Sequence, residues 1–319
     1  MTLAWIAAAL CVGLMGFAIQ RGGTCTVAAI DELVNERRAR RLLAMFEASL
    51  WVAGGLALAQ LLHLAGSMPA GAAVDGATIG GGLLLGLGAW VNRACVFGAI
   101  ARLGSGQWAY AFTPLGFYSG CLSAPLLFGR RPATAAVVPS PLMVAATVAA
   151  PLFIAYAAWR IAPTVAAMRG AGRLRLLTGR VWSPHAATIV IGVSFVVTWL
   201  LAGRWAYTDL LADLAHGMAG DLARRALLFA ALLIGAMLGG WTAGRWQREP
   251  IEVSAVARCL AGGLLMGWGG LLIPGSNDGL ILVGLPLLQP HAWLAFATMC
   301  ATIALAMRAQ RQWQVPSGA

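Results

Sequence analysis

Apolar residues run through this chain in long stretches, and three short polar turns interrupt them. The runs fall at about residues 3–19, 42–65, 77–91, 94–103, 107–128, 142–159, 186–202, 226–243, 255–273, 279–289 and 291–307. A helix needs about 20 apolar residues to cross a bilayer, so the pattern predicts an all-α polytopic membrane protein with about 8–10 membrane helices. The runs at 77–91, 94–103 and 279–289 are too short for an ordinary span. Short segments paired across a polar break read as re-entrant or broken helices.

The turns are Gln20-Arg21-Gly22-Gly23-Thr24-Cys25, Asn92-Arg93-Ala94-Cys95 and Pro274-Gly275-Ser276-Asn277-Asp278-Gly279. Each sets a small polar side chain, Cys25, Cys95 or Ser276, nine residues after a glycine, Gly16, Gly86 or Gly267. Irregular backbone at membrane depth is tolerated only inside protein or along a water-filled cavity. The turns are therefore the candidate substrate path.

The pattern also repeats. A shift of 181 residues lays Gly81–Gly88 over Gly262–Gly269 with six of eight positions identical, Cys95 over Ser276 and Gly98 over Gly279. Two pseudo-symmetric halves are expected, about 1–165 and 183–319, joined by a basic linker carrying Arg169, Arg173, Arg175 and Arg180. The turn at Cys25 finds only a faint partner at Gly203–Thr208, where Ala206 takes the cysteine's place. That fourth unit reads as degenerate.

Composition strengthens the class. The 319 residues are 60% hydrophobic and 10% charged, with a mean hydropathy of +0.79, far below the charge of a soluble domain. The net charge of +11 comes from 22 arginines and no lysine. They cluster between apolar runs, the signature of cytoplasmic loops, and no soluble basic domain exists to hold nucleic acid. Residues 3–19 read as a first membrane segment rather than a cleaved signal. The clusters leave one ambiguity: Arg130-Arg131 cannot easily share a side with Arg160 across a single span. Either 142–159 is re-entrant or Arg130-Arg131 lies on the opposite face. The six cysteines form no C-x-x-C pair and no zinc spacing, and nothing calls for a metal or cofactor.

The turn residues admit several chemistries. Gly22, Gly23, Gly98, Gly275 and Gly279 permit positive φ and exposed backbone N–H groups, and a helix starting after such a turn favours an anion. Arg21 and Arg93 either snorkel to an interface or set a positive field in a pore. Cys25 and Cys95 read as packing residues, as thiolate nucleophiles lacking a base nearby in sequence, or as neutral S–H donors along a path. Ser276 and Asn277 add stronger donors. Asp278 can cap the helix that follows, pair with an arginine, or carry a proton.

At these residues the chain resembles the YeeE/YedE (sulphur-transport domain) family, over essentially its whole length. The resemblance rests on the Gly-x-x-x-Gly helix entering a glycine/cysteine turn, on Asn92-Arg93-Ala94-Cys95-Val96-Phe97-Gly98, on Arg102-Leu103-Gly104-Ser105-Gly106, and on Pro274–Gly279. It implies an hourglass-like membrane fold with short helices dipping in from both faces and cysteines at the constriction. It also implies thiosulfate passing by hydrogen bonds to thiols, and at times a TusA-like sulphur-carrier partner. Cys25 and Cys95 match two of the family's three pathway cysteines. Ser276 stands where the third is usual, with Asn277 following as expected, which bears on the choice of anion. The reading is a multi-pass permease of the bacterial inner membrane importing a small inorganic sulphur anion. The alternatives are a membrane enzyme working through a cysteine persulfide and a non-transporting scaffold.

Overall fold

The computed structural model describes residues 3–314 except 65, 67, 130–138, 169–180, 219 and 248, with only the backbone of 163–168 and 314. Helices are the only extended regular structure among the described residues. Helix α1 (Leu3–Gly22) breaks before α2 (Thr26–Asn35), and α3 (Arg40–Leu61) follows. Helix α4 (Gly76–Asn92) breaks before α5 (Val96–Gly104), and a 3-10 turn at Trp108–Ala111 leads into α6 (Phe112–Phe128). A short α7 (Pro141–Val144) and α8 (Ala146–Met168) precede a second series. There α9 (Pro184–Ala202) breaks before α10 (Tyr207–Ala215), and α11 (Leu222–Thr242) follows. Helix α12 (Val253–Leu272) breaks before α13 (Asn277–Gly279), which continues as a π turn over Leu280–Gly284, and α14 (Pro290–Gln314) closes the chain.

The order of broken pair, long helix, broken pair, long helix thus occurs twice. Leu3, Thr26 and Val96 start their helices, and Pro184, Tyr207 and Asn277 start theirs 181 positions later. Among the described residues, eight helical segments are long and apolar enough to cross a membrane. Their outer faces carry large apolar side chains such as Leu10, Leu126 and Leu305, exposed by 70%, 87% and 64%, as a lipid-facing surface requires. The chain is an all-α, multi-pass membrane protein.

Two short helices escaped the apolar-run pattern, α2 and α10. Each is polar on one side, with Asp31 and Glu32 in α2 and Asp209 and Asp213 in α10. A scan for lipid-like runs passes over segments that face a water-filled interior. The fourth break, expected to be degenerate, is present between α9 and α10, with Ala206 in extended backbone at φ −137° just as Cys25 is at −158°.

Arg130-Arg131 and the linker arginines lie outside the described residues, but the neighbouring helices resolve the ambiguity around 142–159. Ser140 Oγ donates to the Leu287 carbonyl at 2.7 Å beside one end of α14. At the other end of α8, Arg160 Nε donates to Glu47 Oε1 at 2.8 Å, and His185 Nδ1 meets Glu47 Oε2. Helix α8 is one continuous 23-residue helix, not a re-entrant one. The half-buried Tyr156 hydroxyl adds a third bond to Glu47 at 3.1 Å. A buried carboxylate needs such partners, and this one ties α3 to α8 and α9.

Glycine decides how closely the long helices approach, because lipid supplies no hydrophobic force between them and small residues let backbones touch. A Cβ on Gly88 of α4 would lie 2.7 Å from the Gly262 carbonyl of α12, and one on Gly262 would lie 2.7 Å from the Gly88 carbonyl. On the other face of α4, Gly86 sits against α14, with the Met299 carbonyl 2.8 Å from its would-be Cβ. Gly88→Ala should therefore cost about 1–3 kcal/mol through overpacking and lower the melting temperature in detergent. Gly80→Ala, where a Cβ meets nothing within 4 Å, should leave it unchanged or raise it.

Candidate functional site

The three turns are built alike. Helix α1 ends with Gly23 at φ +58°, whose N–H bonds the Gln20 carbonyl while Thr24 N–H bonds that of Ile19. Helix α4 ends with Arg93 at φ +59°, its N–H on Trp90 and that of Ala94 on Ala89. This is the Schellman pattern of a left-handed cap. At Pro274 the ring has no N–H to give, and only the second bond remains, from Gly275 N–H to the Gly270 carbonyl. Two residues beyond each cap come Cys25, Cys95 and Ser276, in extended backbone, each starting the next short helix without capping it by its side chain.

These starts, with that of α10, converge and are tied in a ring. Thr26 N–H donates to Cys95 Sγ at 3.1 Å, joining α2 to α5. Thr26 Oγ1 donates to Asn277 Oδ1 at 3.2 Å, joining α2 to α13. Tyr207 O–H donates to the Val96 carbonyl at 2.9 Å, joining α10 to α5. Thr208 Oγ1 donates to Asp278 Oδ1 at 2.5 Å, joining α10 to α13. Cys95, Thr26 and Asn277 are wholly buried. Ser276 Oγ, Asn277 Nδ2 and Asp278 Oδ2 are buried without a hydrogen-bond partner among the described residues.

A cavity opens on each side of this ring. The larger, about 810 Å³, has Cys25, Gly23 and Gly98 on its wall and a mouth formed by Arg41, Arg93, Arg102, Arg245, Arg258 and Arg311. The smaller, about 230 Å³, is lined by Gly275, Gly279, Asp209, Arg204, Gln289 and His291. His291 and Arg311 lie at opposite ends of α14, ~30 Å apart at 1.5 Å per residue. The cavities thus open toward opposite ends of the helices, and the ring of polar groups separates them.

The structure gathers Cys25, Cys95, Ser276 and Asn277 around this ring, with Arg93 and Gly23 on the large cavity and Gly275 and Gly279 on the small one. Arg21 lies elsewhere. It is 3% exposed, its guanidinium stacks 4.9 Å over Phe17, and Nη2 donates to Thr242 Oγ1 at 2.7 Å. The cavity's positive charge comes from Arg93 and from arginines on several other elements, Arg41, Arg102, Arg245, Arg258 and Arg311, whose convergence the sequence does not show. The expectation that turn glycines expose N–H donors is also corrected, since Gly23 and Gly275 use theirs within the caps. Gly22 and Gly98 serve close contact: a Cβ would strike Ala187 at the first and the Cys25 thiol at the second. Thr26, Tyr207 and Thr208 went unnoticed in sequence. The 181-residue shift would have found Tyr207, which falls where Thr26 starts α2.

A family model described as sulphur transport matches residues 21–305. No curated protein matches the chain.

The geometry predicts unequal access. With the other cysteines replaced by alanine, a water-soluble methanethiosulfonate applied at the arginine-lined mouth should modify Cys25, on the cavity wall, much faster than Cys95, buried behind it. Mass spectrometry reads the two rates, and equal rates would contradict the arrangement.

Proposed function

This chain belongs to the sulphur transport family, and from that premise we propose that it is a bacterial inner-membrane permease importing a small sulphur-containing anion, thiosulfate first. The observation that carries this reading is the pair of cavities at opposite helix ends, separated by one thin ring of buried polar groups. A permeation path needs such a constriction, with sites strong enough to admit an ion and weak enough to release it.

The ring suits an anion. Helix N-termini carry about half a positive charge each, and α2, α5 and α10 start at the ring. The arginines at the mouth raise the local anion concentration. Neutral thiols of Cys25 and Cys95 are weak donors, suited to handing an anion on, while Ser276 Oγ and Asn277 Nδ2 offer stronger bonds. A buried polar group left unpaired costs about 1–3 kcal/mol, so a passing oxyanion offsets a cost the empty ring bears. Ser276 in place of a third thiol favours oxygen over sulphur atoms of the substrate on that side.

By the positive-inside rule the arginine-lined mouth is cytoplasmic, so import runs from the His291 cavity past Ser276, Cys95 and Cys25. A TusA-like carrier would receive the anion at that mouth. The twofold order of elements supports two halves, 1–165 and 183–319, descended from one unit and inverted in the membrane. Trp182 N–H bonds the Arg21 carbonyl, so α9 starts where α1 ends.

Uptake of radiolabelled thiosulfate into proteoliposomes tests the proposal. Cys95→Ala should slow initial uptake about fivefold or more, the loss of one hydrogen bond of ~1 kcal/mol. An unchanged rate would remove the thiol from the path. Ser276→Cys should shift competition by unlabelled anions toward those presenting a terminal sulphur, and an identical competition profile would remove Ser276 from selectivity.

A further inference from the structure

Asp278 has no role in the reading above, and its surroundings are unusual for a carboxylate. It is 2% exposed and lies between Asn277, at the centre of the ring, and Gly279, on the wall of the small cavity. Oδ1 accepts from Thr208 Oγ1 at 2.5 Å and from Gly279 N–H at 3.0 Å. Oδ2 is buried with no hydrogen-bond partner, and Asp278 forms no ion pair among the described residues.

The groups around it do not supply a balancing charge. From α10 come Tyr207, whose hydroxyl is committed to Val96, Thr208, which donates to Oδ1, and Asp209, which lines the small cavity. The nearest arginine on that side, Arg204, is 4.0 Å from the Asp209 carboxylate. Farther along α10, Asp213 is held by Arg225 at 2.5 Å. From α5 comes Cys95, whose sulphur accepts from Thr26 N–H. From α14 comes His291, on the same cavity, whose Nδ1 accepts from Ala72 N–H at 3.2 Å. From α3, Ser49 bonds the Ile281 carbonyl, while Glu47 is engaged with Arg160 and His185. An unpaired buried carboxylate here is costly when ionised and repels the anion the ring is built to pass. A protonated Asp278 removes both difficulties and gives Oδ2 a proton to donate toward the path.

We propose that Asp278, next in sequence to Gly279 on the wall of the small cavity, is the proton-binding site of a proton-coupled anion transporter. This deepens the permease reading and rests on it. A proton from water in the His291 cavity binds the carboxylate as the anion enters the ring, forming one O–H bond. That bond breaks when the anion has left toward Cys25, and the proton leaves to water on that side. A net inward movement of negative charge, opposed by an inside-negative membrane, is thereby reduced.

The test uses the full chain in proteoliposomes loaded with the pH dye pyranine and given radiolabelled thiosulfate outside. For one coupled proton, each unit of inside-alkaline pH gradient should raise accumulation about tenfold, and thiosulfate should acidify the lumen in step with uptake. In D278N, checked for folding by size exclusion and melting, the ratio of uptake with and without the gradient should fall to about one and the dye signal should vanish. D278E, which keeps a titratable group, should retain both. Wild-type uptake that ignores the gradient and leaves the dye silent would overturn the proton proposal while the permease reading stands. A full gradient response in folded D278N would overturn the assignment to Asp278. Absence of wild-type thiosulfate uptake under every gradient would overturn both readings.

Discussion

Short helices whose starts converge inside an apolar bundle impose the central constraint on this fold. Their starts expose partial positive charge and unsatisfied N–H groups, which lipid cannot accommodate. They are held together by cross-bonds from the first turns themselves: Thr26 to Cys95 and Asn277, Tyr207 to the Val96 carbonyl, and Thr208 to Asp278. Each bond joins two short helices that are far apart in sequence, so the ring forms only when the whole bundle has closed.

The long helices exist in service of that closure. Positions such as Gly88 and Gly262 bring α4 and α12 into backbone contact, which brings their broken ends to the same depth. Gly98 performs the same task at the ring, where its missing side chain leaves room for the Cys25 thiol. Glycine here sets distance first. Backbone freedom matters at fewer places, and Gly23 is the clear case, while Arg93 reaches the same left-handed conformation at a cost of about 1–2 kcal/mol. The side chain it keeps there lines the large cavity.

The two sides of the ring are chemically unlike. On one, arginines from α3, α5, α12 and α14 and from the segments beside them surround a wide mouth, with Cys25 on its wall. On the other, a narrow cavity is lined by Asp209, Arg204, Gln289 and His291, with Gly275 and Gly279 at its wall. Ala206 and Ser276 stand where the 181-residue register places them opposite Cys25 and Cys95.

The amino-acid sequence alone determined the class, most long helices to within a few residues, and the breaks after α1, α4 and α12, while the runs ending at 159 and 307 stop short of α8 and α14, which reach Met168 and Gln314. These are local properties: lipid solvation selects apolar runs, and polar turns within them are conspicuous. Tertiary structure decided the rest. Helices α2 and α10 are amphipathic and short, so their helicity depends on the interior they line. Arg21 and Arg93 occupy comparable turns, yet one is buried under Phe17 and Thr242 and the other faces the cavity, because a neighbouring helix covers only the first. The arginine mouth, the ring of cross-bonds and the isolation of Asp278 are sums over distant segments, and long-range packing brings those charges and donors within reach of one another.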